Sequence, residues 1–171
     1  MTVFWTDTTP TAAWAGAANL HWAIKYGMPA LLAPAVHNFA GAAGAVAAAI
    51  VAARANAQAM GIELAEAGIT VDYHPPLDVR QPGAHDVIGD RAFGSEPLRV
   101  AALGRATLEG LALAGVAGCI KHMPGHGRAF ADSHKELPVV HADLATLDGW
   151  DFAPFKALSD MPIAMTAHVV F

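Results

Sequence analysis

Three short runs of strand character begin near residues 69, 116 and 163, and a helical pattern precedes each one. A repeated helix-then-strand order calls for parallel strands joined by crossovers, with helices covering the sheet, so the expected fold class is α/β. In the first round Val46, Ile50, Ala53, Ala57, Met60 and Leu64 recur at steps of four and three, one face of a helix, while Arg54, Asn56, Gln58 and Glu63 fall off that stripe. Gly68 stops the helix, and the strand over 69–73 runs into Pro-Pro-Leu-Asp at 75–78. In the second round Ser95 is the expected helix cap, with Glu96 and Pro97 in the first turn. Val100, Leu103, Thr107, Leu111 and Ala114 keep the helical rhythm, Gly115 ends it, and the strand over 116–121 follows. The third round runs through a helix over 151–158 into a strand over 162–168. Each unit takes roughly 47 residues, where a plain eight-fold barrel uses about 31. The surplus lies in loops after the strands, where long loops usually carry function.

The 171 residues suit one domain or part of a larger one, and 54% hydrophobic against 15% charged residues excludes disorder for most of the chain. A net charge of -5 without a basic run gives no footprint for nucleic acid or an anionic membrane surface, which favours a neutral or small polar partner. Cys119, the single cysteine, lies inside an apparent strand and reads as a buried core residue in a reducing compartment. No basic n-region opens the chain, and the expected location is the cytoplasm.

Residues 1–38 stay unassigned beyond a candidate helix over 12–25; Trp5, Trp14 and Trp22 lie there with no sustained period. Residues 28–53 carry no fixed charge, which raises a transmembrane reading. Pro29, Pro34 and the preponderance of Ala and Gly favour the amphipathic helix instead.

The chemistry concentrates in residues 121–134, directly after the 116–120 run, whose continuous apolar character suits a strand buried on both faces. Lys121 and His122 therefore fall at a carboxyl strand end, where parallel α/β folds bind ligands. Asp132 stands two residues before His134 in a segment without helical period, so the carboxylate can orient the imidazole and stabilise its charged form as an acid/base pair; helix capping by Asp132 beside a solvated His134 is the structural alternative. His122, His126 and His134 invite a metal reading, but Pro124 and Gly125 break the helix that an i, i+4 pair requires. Pro-Gly-His-Gly at 124–127 is expected to be a tight turn whose glycines take positive φ. Arg91, between Asp90 and a later glycine, can fork onto hydroxyls or brace its own loop. His168 ends the third strand and reads as structural. No nucleophile elbow or phosphate-binding loop is present.

Five ordered motifs together resemble the family 3 glycoside hydrolases, and among them the bacterial β-N-acetylhexosaminidases of peptidoglycan recycling. They are Pro-Pro-Leu-Asp at 75–78, Ile-Gly-Asp-Arg-Ala-Phe-Gly at 88–94, Lys-His-Met-Pro-Gly-His-Gly at 121–127, Asp-Ser-His at 132–134 and Met-Thr-Ala-His at 165–168. The resemblance implies that residues 39–171 are the central portion of a (β/α)8 TIM-type barrel, incomplete as given. It implies removal of terminal N-acetylglucosamine from muropeptides with retention of configuration and without metal or cofactor. Arg91, Lys121 and His122 would bind the sugar, and His134 would be the general acid/base, supported by Asp132.

Two departures accompany the resemblance. Residues 1–38 hold nothing like the family's Asp-Gln-Glu-Gly-Gly-Arg segment, and the family's aspartate nucleophile falls after Phe171. The expectation is a chain inactive by itself, with open sheet edges near Val169, Val170 and Phe171 that favour self-association. The alternative is a non-catalytic sugar-binding or structural barrel fragment.

Overall fold

The computed structural model describes residues 42–133 and 135–171; the opening segment, its candidate helix over 12–25 and His134 lie outside the described residues. Helix α1 (Ala42–Glu66) leads to β1 (Val71–Asp72), then α2 (Pro97–Leu113), β2 (Ala117–Gly118), β3 (Ile120–Met123), α3 (Leu144–Gly149), α4 (Ala153–Ala157) and β4 (Ala164–Thr166). β1 pairs in parallel with β2, Val71 opposite Ala117, and β3 pairs in parallel with β4, Ile120 opposite Ala164. An isolated parallel bridge between Pro76 and Lys121 joins the two pairs, so three parallel runs lie side by side. The three rounds of the sequence pattern are therefore present. Among the described residues the runs form an open arrangement and no complete barrel.

The helices end where glycine permits. Gly68 has φ 78° and Ile69 N–H donates to the Leu64 carbonyl at 2.9 Å; Gly115 has φ 80° and Val116 N–H donates to the Leu111 carbonyl at 3.0 Å. Ser95 does not cap α2. The N-cap is Glu96, extended at φ -111° and ψ 118° with no side-chain cap bond. A residue before proline is steered into that region, and Pro97 has no N–H to satisfy.

The buried face of α1 follows the expected stripe except at Val46: Ala53 and Ala57 are buried, and Ile50, Met60 and Leu64 pack against the same clusters. Ala52 and Gly61 are buried as well, whereas Val46 is 47% exposed. Helix α2 lies close: a Cβ at Gly110 would overlap the Arg54 carbonyl and lie 2.8 Å from Ala57 Cβ, and one at Gly61 would lie 2.7 Å from Ala114 Cβ. Only small residues fit between backbones at that distance, so alanine and glycine hold the centre of the contact, with Ile50, Met60 and Leu64 packed around it. By length and composition the Ala45–Glu66 stretch could cross a membrane. Its small-residue face is committed to α2.

The main core joins the other face of α2 to the sheet. Leu77, Val79, Val100, Ala101, Leu108, Ile120, Phe155 and Leu158 form one buried cluster. The third helical round is split. Asp143 caps α3 by accepting from Thr146 N–H at 2.8 Å, and Asp151, expected to open a helix, is a buried loop residue before α4. At the far edge Val140 N–H donates to the Val170 carbonyl at 2.8 Å, and Val170 N–H to the Pro138 carbonyl at 2.9 Å. That returning segment packs Val169 against Ala129, Val140 and Leu147, while Val170 and Phe171 keep substantial exposure.

Gly110→Ala is expected to destabilise the chain by about 1 to 3 kcal/mol despite the better helix propensity of alanine, because the methyl group has no space beside Arg54. Gly149→Ala, where an added Cβ meets nothing, is expected to leave stability unchanged or slightly raised. Urea unfolding of the two variants checks the difference.

Candidate active site

The carboxyl end of β1 and its continuation is drawn against β3 by backbone bonds: Leu77 N–H donates to the Lys121 carbonyl at 2.6 Å, and Lys121 N–H to the Pro75 carbonyl at 3.2 Å. The His74–Pro75, Lys121–His122 and Met123–Pro124 peptide bonds here are cis. Directly beyond lies Asp78, with 0% exposure between the equally buried Leu77 and Val79. Its Oδ1 accepts from His126 N–H at 2.7 Å and from His122 N–H at 3.3 Å, and its Oδ2 lies 2.8 Å from His122 Nδ1. One carboxylate thus ties the 122–126 turn to the end of β1. A buried carboxylate requires such donors, since without them desolvation would be prohibitive.

The turn itself is fixed by close approach. Gly125 takes φ 142° and packs on the Asp151 backbone, where a Cβ would lie 2.9 Å from the Asp151 carbonyl oxygen. Gly127 does not take the positive φ expected of it; it is required because any Cβ would overlap the Val79 backbone. Arg128 then donates from Nε at 3.0 Å and Nη2 at 2.9 Å to Asp151 Oδ2. This pair clamps the outgoing loop to the segment before α4.

Of the residues singled out in the sequence, Lys121 and His122 sit half-buried on β3. Burial pushes the Lys121 ammonium below its ordinary 10.5, and the positive charge of Arg91 adds to the effect. Arg91 closes a 3-10 turn over Gly89–Arg91, is exposed, and donates from Nη2 to the Val87 carbonyl at 2.6 Å, which braces its loop. Asp132 is half-buried at the start of a turn whose Lys135 and Glu136 N–H groups donate to its carbonyl at 2.9 and 3.1 Å, and its charge reaches His126. His134, its expected partner, lies outside the described residues. His168 is exposed beyond the end of β4. Arg91, Lys121, His122, His126 and Asp132 are thus linked by hydrogen bonds, ring contact or mutual charge effects at one end of the parallel runs, the His122 and His126 rings 6.1 Å apart.

Asp78, His126 and the Arg128–Asp151 pair were not expected as organisers. The signals for Asp78 are its place at the end of the Pro-Pro-Leu-Asp motif and an acid between two apolar residues after a strand. For Asp151 the signal pointed elsewhere, to a helix start. His126 is 4% exposed, and neither ring nitrogen has a partner among the described residues. Burial pushes its imidazole below the ordinary 6.5, although the Asp78 carboxylate pulls the other way. As for the metal reading, His122 Nδ1 is committed to Asp78, and among the described residues no group of three or more His, Cys, Asp or Glu side chains could hold an ion.

Parallel strands with ionisable side chains gathered at their carboxyl ends define an α/β protein of the kind that binds small polar ligands there. More narrowly, the chain belongs to glycoside hydrolase family 3, for its residues 28–171 match the glycosyl hydrolase family 3 N terminal domain. It is 45% identical over 114 residues to a beta-hexosaminidase of Bordetella avium, covering 66% of this chain and 32% of that protein. The chain therefore spans about a third of the length of the curated relatives it matches. Among solved structures it is similar to NagZ from Neisseria gonorrhoeae in complex with N-trifluoroacetyl-D-glucosamine, with a TM-score of 0.69 and 40% identity over 73% of this chain and 37% of that one. It is also similar to a family 3 beta-N-acetylglucosaminidase from Paenibacillus, with a TM-score of 0.68 and 39% identity over 71% of this chain and 24% of that one.

Arg128→Met is expected to cost about 3 to 5 kcal/mol by leaving Asp151 buried and uncompensated, and Arg128→Met with Asp151→Leu to recover much of the loss. Denaturant midpoints of the single and double variants check this. His126 makes a separate prediction. Because its folded pKa is lowered, the stability it contributes is complete above pH 6.5 and declines as pH falls from there toward the folded value. In thermal melts across that range, His126→Gln is expected to flatten the acid limb relative to the parent.

Proposed function

We propose that these residues form the sugar-binding and acid/base portion of a β-N-acetylhexosaminidase. In this reading residues 39–171 are the central part of a (β/α)8 barrel domain, and residues 1–38 are left unassigned. The enzyme removes terminal β-linked N-acetylglucosamine from peptidoglycan fragments in the cytoplasm by a retaining route. The observation that carries the reading is the anchoring of Lys121 and His122 at a carboxyl strand end, within charge range of Arg91 and beside the Asp132 loop. The likeness to a NagZ structure holding a glucosamine derivative supports the same substrate class.

Arg91, Lys121 and His122 would bind the sugar, the first two by donating to its hydroxyls. A half-buried ammonium beside a guanidinium is a strong donor, and a neutral sugar adds no charge that it must lose. His134 would protonate the departing glycosidic oxygen and then take the proton from the water that resolves the covalent intermediate, in place of the usual carboxylic acid. Asp132 would hold the His134 ring and stabilise it when charged. The nucleophile would come from a segment beyond these motifs.

The longest polypeptide that the gene encodes around these residues is the material for the test. His134→Ala is expected to lower kcat/KM about 10²- to 10⁴-fold for β-N-acetylglucosaminides with poor leaving groups, and far less for activated aryl glycosides. Asp132→Asn is expected to lose less and to shift the pH profile, because an amide can orient the ring but cannot stabilise its charge. Equal losses on both substrate types would make His134 structural. Binding of N-acetylglucosamine without any turnover by the parent would favour the non-catalytic alternative.

A further inference from the structure

We propose that Asp78 is a positioning residue that holds His122 as the neutral Nδ1–H tautomer, so that the ring offers Nε2 to the ligand as a hydrogen-bond acceptor. The inference begins with donor and acceptor capacity. Asp78 is fully buried, and its Oδ1 already accepts two backbone N–H groups, from His122 and His126. An ionised carboxylate can only accept. Oδ2, 2.8 Å from His122 Nδ1, therefore takes a proton donated by the ring. With the single proton of a neutral imidazole committed to Nδ1, Nε2 is left with a lone pair.

The backbone makes this arrangement rigid. The residue that orients the ring also holds the main chain of the same residue, so ring and backbone cannot move independently. His122 keeps 20% side-chain exposure, whereas the carboxylate behind it has none, so access to the ring is from the side away from Asp78. The neighbouring charges fit the assignment. Lys121 and Arg91 offer only donors, and two donors alone leave the hydrogen of a bound hydroxyl without a destination. An acceptor on the adjacent residue completes the set for a hydroxyl that receives from Lys121 or Arg91 and gives to His122. This last step rests on the reading of His122 as a sugar-binding residue; the tautomer itself does not.

Nitrogen NMR of the histidine-labelled polypeptide at neutral pH, with His122 assigned by its disappearance in His122→Gln, tests the first half. The expected spectrum has a pyrrole-like Nδ1 and a pyridine-like Nε2. A proton on Nε2, whether in the other tautomer or in imidazolium, would overturn the proposal. In Asp78→Asn the amide oxygen can keep the two backbone donors while its NH2 faces the ring, so the two nitrogen signals are expected to exchange character. The parent spectrum decides the tautomer even if that variant fails to fold. For the second half, kcat/KM is compared across N-acetylglucosaminides in which one hydroxyl at a time is replaced by fluorine, which accepts weakly and cannot donate. The parent is expected to lose roughly tenfold or more at one position, and Asp78→Asn less at that same position. A confirmed tautomer with no such position would sink the sugar-facing role of His122 and the reading it rests on, leaving Asp78 as the determinant of the tautomer only.

Discussion

The structure depends on one buried carboxylate. Asp78 stands in the segment that follows β1, two residues past the Pro76 bridge, flanked by two side chains that the core buries completely. Leu77 and Val79 fix the backbone, which leaves the acid no route to solvent. It is satisfied from outside its own segment, by two N–H groups and a ring nitrogen of the 122–126 turn. The turn is held in return. Because an unmatched carboxylate inside a protein would be far more costly than any alternative packing, the two segments come together or the core does not close.

Close approach between backbones provides the second constraint. Gly110 admits α1 to α2, Gly104 leaves room for Leu77, and Gly127 lies against Val79. These contacts set how near the helices and the turn lie to the strands, and the distances in the site follow from them. Arg128 on Asp151 fixes the far side of the same turn. The loop that carries Asp132 therefore leaves a frame held at Val79, Asp78 and Asp151.

That frame also sets the electrostatics. Lys121 and His126 both lie where burial disfavours their charged forms, and Arg91 adds to the effect at Lys121. The chain belongs to family 3, and the structures similar to it include one solved with a glucosamine derivative.

The sequence by itself determined the order of elements. Period and punctuation are local properties: the stripe around Ala53 and Ala57, the glycines at 68 and 115, the apolar run before Lys121 and the strand pattern over 162–168 all specify backbone geometry within a few residues. It also placed Lys121 and His122 at a strand end, because strand direction follows from chain direction. Only the tertiary structure decided how closely α1 and α2 approach, and with it that Ala52 and Gly61 join Ala53 and Ala57 on the buried face. Only the tertiary structure made Asp151 a buried partner of Arg128 rather than the first residue of a helix, and made Asp78 the organiser of a turn 44 residues away along the chain. An acidic side chain has the same formula in water and in a core; what it does is set by which donors the fold brings to it, and that information is spread over segments that no local pattern connects.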